Sequence, residues 1–133
     1  MNTEEIAVIC KREKLNACGL LEGCERCLSG KGGCDSLRGD PPVDEVERAV
    51  AFLRAVGPPI KTPKFSSYGL KHAAENWARK HHNGNPYVSN GALLVAAYHL
   101  GFPVKRNKLR HSLNALVGVS KRNLNRECPL NRH

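Results

Sequence analysis

The residues best suited to chemistry in this chain are its cysteines. Five of the six, Cys10, Cys18, Cys24, Cys27 and Cys34, crowd into 25 residues, and Cys128 stands alone near the C-terminus. Around the crowd the sequence reads ACGLLEGCERCLSGKGGC, rich in glycine and poor in the large apolar residues that would bury such a segment. Four converging thiolates would hold it instead. Cys24-x-x-Cys27 is the two-residue knuckle that presents two sulfurs to one zinc ion. Cys18 and Cys34 supply the third and fourth ligands in the spacing C-x5-C-x2-C-x6-C, with Cys10 as a substitute for Cys18 and Cys128 as a further candidate from the far end. Zinc is the expected cofactor. Disulfides, reduced thiols and an iron–sulfur cluster stay open behind it, the order resting on a reducing cytoplasm. That address follows from MNTEEIAVICKREK, which is acidic where a signal peptide is basic and has no sufficient apolar run.

Catalysis is not expected. The histidines all lie at or beyond position 72, so the cysteine crowd has no base nearby in sequence. His81-His82 reads as a polar helix end rather than a metal site, because no carboxylate or further histidine stands at helical spacing from it. GKGG at Gly30 lacks the length and the Ser/Thr of a phosphate loop, and neither paired carboxylates nor a Ser/His/Asp pattern is present.

The second chemistry is cationic. The chain has 21 Lys+Arg against 12 Asp+Glu, net +9, but residues 1–60 are net −2 and residues 61–133 net +11, with Glu75 and Glu127 the only acids of that second part. Such a field suits polyanions. In LVGVSKRNLNRE, residues 116–127, Lys121, Arg122 and Arg126 are candidates for phosphates or guanine edges, and Asn123 and Asn125 are of the type that pairs with adenine. Lys105, Arg106, Lys108 and Arg110 would neutralise backbone phosphates. Nucleic acid, DNA ahead of RNA, or a nucleoprotein complex is the expected partner. No membrane is expected, since the longest apolar run, ALLVAAY from Ala92, stops at His99, and no small-molecule substrate is expected.

The elements that must position these groups are mainly helices. The expected fold is a small helical domain of about four to five helices, residues 43–133, behind a Cys-rich, zinc-binding loop module, residues 1–40, with DSLRGDPP as the linker. IAVIC at Ile6 reads as a strand. Asp44 with Glu47 forms a capping box ahead of Val46, Ala49, Val50 and Leu53. A second helix follows Ser66 or Ser67 with Leu70, Ala73, Ala74 and Trp77 on its core face. Ser89 caps a third, which Gly101 closes at C′. A fourth runs from about Asn107 through Leu109, Leu113 and Leu116, and Ser120 opens a short fifth with Leu124 inward. GFPV at Gly101 suggests a short extended piece. The fourth and fifth segments, joined at Gly118, form a candidate helix-turn-helix: Val119 and Leu124 occupy its apolar positions, although Asn114 stands where a small residue belongs.

Three segments carry a resemblance: SSYGLKHAAE (66–75), YVSNGALLVAAYHLGF (87–102) and LNALVGVSKRNL (113–124). In this order and spacing they resemble small proteins of plasmids, prophages and other mobile elements, with SYxLKH, SNGxxxxAAxxxGF and NAxxxxSxR segments. The resemblance implies a microbial accessory protein. It adds a second functional expectation beside the metal-stabilised nucleic-acid-binding module: an inhibitor or adaptor that disables a host defence or regulatory complex.

Overall fold

The computed structural model describes residues 1–21, 39–81, 84–106 and 113–128. Cys24, Cys27, Cys34, Lys108 and Arg110 lie outside them. The described chain is mainly helical, with five helices: α1 (Thr3–Glu13), α2 (Val43–Val56), α3 (Ser67–His81), α4 (Asn90–Leu100) and α5 (Lys121–Glu127). Five two-residue strands accompany them: β1 (Leu15–Asn16), β2 (Gly19–Leu20), β3 (Phe65–Ser66), β4 (Val104–Lys105) and β5 (Leu116–Val117).

Helix α4 is the hub. Every residue from Asn90 to Ala97 is buried, and the helix packs against α2, α3, α1 and the hairpin β1–β2. Its alanines let neighbouring backbones approach, and around it Phe52, Leu53, Leu70, Trp77, Val88, Val117 and Leu124 complete one hydrophobic cluster. Ser89 caps it, its Oγ accepting from Ala92 N at 3.1 Å, and Gly101 closes it in the left-handed conformation, as its sequence signals require.

IAVIC is helical rather than extended. Asn2 and Glu5 form a reciprocal capping box ahead of it, and Ile6, Ile9 and Cys10 are buried while Ala7 and Val8 face solvent, which is the spacing of a helix stripe. Ile6, Ile9, Cys10, Leu15 and Leu20 belong to the same core cluster as α2–α5, so the described part of residues 1–40 is built into the helical domain. The cap of α2 also differs. Pro42 holds the N-cap position without a side-chain bond, and Asp44 sits in the first turn, bonded instead to Arg48 Nη2 at 2.9 Å.

The largest departure falls at the candidate helix-turn-helix. Ala115 and Val117 are buried while Leu116 is exposed. That period-two alternation belongs to a strand, and β5 pairs antiparallel with β3 on one side and β4 on the other. The described residues from Leu113 to Gly118 thus supply no first helix for the motif. Gly118 is required by close approach: a Cβ there would collide with Ile60 O and crowd the Pro103 ring. Of GFPV, expected as a short extended piece, Val104 opens β4.

Candidate nucleic-acid interface and an adjoining aromatic cleft

Along α3, Tyr68, His72, Asn76, Arg79 and Lys80 fall at i, i+4, i+8, i+11 and i+12, and all five are exposed, so they form one solvent stripe. The one acid of this helix, Glu75, is turned inward with its side chain 9% exposed. The stripe therefore offers cations, an amide and aromatic rings without a carboxylate. Arg79 Nη1 donates to Asn76 Oδ1 at 2.6 Å, which orders the guanidinium, and no carboxylate among the described residues forms an ion pair with it.

Helix α5 packs against α2 and reaches α3 at its C-terminal end. Ser120 Oγ accepts from Asn123 N at 3.3 Å, Leu124 is buried, and Lys121, Arg122 and Arg126 are exposed. Cys128 at the helix end places its Sγ 3.7 Å from Ala73 O on α3, and the Lys80 ammonium is near enough to act on that thiol. The end of α5 is thereby docked against α3. Burial outweighs Lys80 and keeps the Cys128 thiol above its ordinary 9.0.

The expected contact residues separate under this geometry. Lys121 and Arg122 are open, and Arg126 is exposed with Nε 3.3 Å from Glu127 Oε2. Asn123 and Asn125 are half-buried, the Asn123 amide lying against Gly57. Lys105 is exposed, but Arg106 turns back to the end of α1, where it donates to the Glu13 carbonyl and lies 3.9 Å from the Glu13 carboxylate. Arg106 thus joins β4 to α1 instead of standing ready for phosphate. Arg79 and Lys80 were legible only as helix-end charges; their signal was the exposed spacing along α3.

The cysteines divide likewise. Cys10 and Cys128 are buried core thiols, and burial together with the Asp40 carboxylate beside it pushes Cys10 up to about 12. Among the described residues no three His, Cys, Asp or Glu side chains converge as a metal site. Cys18 is half-buried in the turn between β1 and β2. His81, stacked on Trp77 with ring centres 4.4 Å apart, donates from Nδ1 to Trp77 O at 2.8 Å and so satisfies a helix-end carbonyl.

A cleft of about 320 Å³ opens where the three motif segments meet, lined by Tyr68 and Lys71, by Tyr87 and Asn90, by Leu113 and Asn114, and by Ala17 and Cys18 of the hairpin turn. Asn90 ties it together: Nδ2 lies 3.0 Å from each of Cys18 O, Leu113 O and Asn114 Oδ1. Gly91 follows because the Asn16–Ala17 backbone lies where a Cβ would be, and Gly91 N donates to Ala17 O at 3.1 Å. The segment entering α4 is clamped by side chains. Arg48 Nε donates to Tyr87 O at 2.9 Å, Val88 N to Glu75 Oε2 at 3.2 Å, and Ser89 N to Glu45 Oε1 at 3.2 Å. Lys71 Nζ, 3.3 Å from Glu75 Oε2, stands 4.9 Å from the Tyr87 ring centre and 5.9 Å from that of Tyr68. His72 Nδ1 is 3.2 Å from Glu75 Oε1. The buried carboxylates are thus occupied in holding backbone and cations. No protein-family model, curated protein or solved structure matches this chain.

Proposed function

We propose that the chain is a nucleic-acid-binding module whose contact face is the solvent side of α3 and α5. The observation that carries this reading is exposed charge of one sign on two helices that meet where Cys128 touches Ala73: Arg79 and Lys80 on α3, and Lys121, Arg122 and Arg126 on α5. The acids of these two helices are Glu75, turned inward, and Glu127, beside Arg126. An ordinary solvated face mixes charge signs; a phosphate-binding face does not. Fluorescence anisotropy with labelled oligonucleotides tests it. About five phosphate contacts correspond to a log–log salt slope of about −3.5 on single strands and about −4.5 on duplex, a loss of roughly 100- to 500-fold between about 50 and 200 mM salt. The double variant Lys80→Glu/Arg122→Glu should weaken binding at least about tenfold. A flat salt dependence or an unmoved affinity refutes the face. A chain that ignores every oligonucleotide at low salt yet captures a host complex acts instead as the inhibitor to which the resemblance points.

The proposal keeps zinc, held by Cys18, Cys24, Cys27 and Cys34, as the support of the leading segment. Metal analysis of chelator-free protein should find about one zinc ion per chain, and protein containing none removes the metal from the proposal.

A further inference from the structure

We infer that the cleft between Tyr68, Lys71, Tyr87 and Asn90 receives an unstacked nucleobase, making this a protein that prefers nucleic acid with unpaired bases. The inference rests on the nucleic-acid reading above and adds where, and by what chemistry, a strand is gripped.

Charge selects the class of ligand. A cleft holding a lysine would ordinarily suit an anion, but Glu75 lies 3.3 Å from Lys71 Nζ and offsets its charge. What remains is aromatic area and hydrogen-bonding capacity, the complement of a neutral planar heterocycle rather than of free phosphate. Tyr68 is 53% exposed at the mouth, its ring set edge-on to His72 at 4.5 Å, and supplies a platform on which any base can stack. Tyr87 forms the inner wall beneath the Lys71 ammonium. That ammonium has three donors, one of which goes to Glu75; the others suit ring nitrogens and carbonyls on a base edge.

Size and rigidity agree. A volume of about 320 Å³ lies at the small end of ligand sites, which span roughly 300–1,000 Å³. The wall is also held before any ligand arrives: Arg48, Glu75 and Glu45 fix the backbone of Tyr87, Val88 and Ser89, and Asn90 fixes the Cys18, Leu113 and Asn114 side. Such preorganisation lowers the ordering cost of binding. Position completes the argument. Tyr68 is also the first residue of the exposed stripe that runs through His72 and Asn76 to Arg79 and Lys80, so a backbone following the cations of α3 passes the mouth of the cleft.

The test compares an intact single strand with the same strand made abasic, at one salt concentration. Stacking in such sites corresponds to roughly 5- to 150-fold per base, so the intact strand should bind tighter by at least about fivefold. Tyr68→Ala, at an exposed position, should collapse that ratio towards one, and Tyr68→Trp should keep it. In a second arm, adenosine monophosphate should shift the NMR signals of Tyr68, Lys71 and Tyr87, whereas ribose 5-phosphate and inorganic phosphate should not. Equal affinity for the abasic strand, a ratio that survives Tyr68→Ala, or the same shifts from phosphate alone overturns the inference. The two readings fail separately. Steeply salt-dependent binding without base dependence removes the cleft and leaves the basic face, while shifts from the mononucleotide without binding of any strand remove the face and leave the cleft.

Discussion

At Gly91 a single methyl group would meet the Asn16 carbonyl, so Gly91→Ala must push the hairpin β1–β2 off the head of α4. Forced overpacking of this kind costs about 1–3 kcal/mol and sometimes more, and chemical denaturation should show a loss at the upper end. Asn90→Ala removes the amide that meets the Cys18 and Leu113 carbonyls, the latter keeping its bond from Leu20 N, a loss of about 1 kcal/mol, accompanied by exchange broadening around the cleft. The buried thiols give a pH signature. Cys10 is raised from 9.0 to about 12 by burial and by Asp40; the unfolded chain gives up this proton near 9 while the native chain retains it. The native state therefore binds more protons in that window, and stability should fall as pH rises from about 9 to about 12. Thermal melts across that range check the sign, and Cys10→Ala should flatten the slope. In the native state Cys10 and Cys128 should resist alkylation that denaturation makes rapid.

The elements show which sequence signals act locally. Ser89 and Ser120 cap their helices as written in the chain, because a hydroxyl at N-cap needs only the amide two or three residues ahead. Ser89→Ala should lower stability by about 1 kcal/mol, read from the denaturation midpoint. Ser120→Ala should cost a similar amount and weaken oligonucleotide binding, since α5 is only seven residues long and depends on its cap and on Leu124 for its place. The strand read at IAVIC is a helix, and the helix read at Leu116 is a strand, for one reason. Short apolar runs fit both periods, and the deciding partners lie elsewhere in the chain: α4 for α1, and β3 and β4 for β5.

For the whole molecule the charge is directional. Helix α1 mixes Lys11 and Arg12 with Glu4, Glu5 and Glu13, whereas the exposed side of α3 carries no acid. Lys11→Glu should therefore disturb oligonucleotide affinity much less than Lys80→Glu or Arg122→Glu measured at the same salt, because the α1 charge is offset by its own carboxylates and a phosphate face sums over neighbouring cations. Equal effects from all three would show a diffuse field and no defined face. Coupling between the two sites follows from α3, which borders the cleft with Tyr68 and Lys71 and the basic stripe with Arg79 and Lys80.

The amino-acid sequence by itself determined the surplus of positive charge beyond residue 60, the bounds of α3 and α4, the short α5 behind Ser120, and the inward place of Trp77 and Leu124. Caps, periodicity and composition act over a few residues, so they can be read along the chain. Tertiary structure alone decided that Arg106 faces Glu13, that Glu45 and Glu75 clamp the entry to α4, and that Ala17, Tyr68, Tyr87 and Asn114 share one cleft. These groupings arise because α4 is buried nearly all round and must be enclosed by α1, α2, α3 and the hairpin β1–β2 at once, a constraint that no local stretch of the sequence contains.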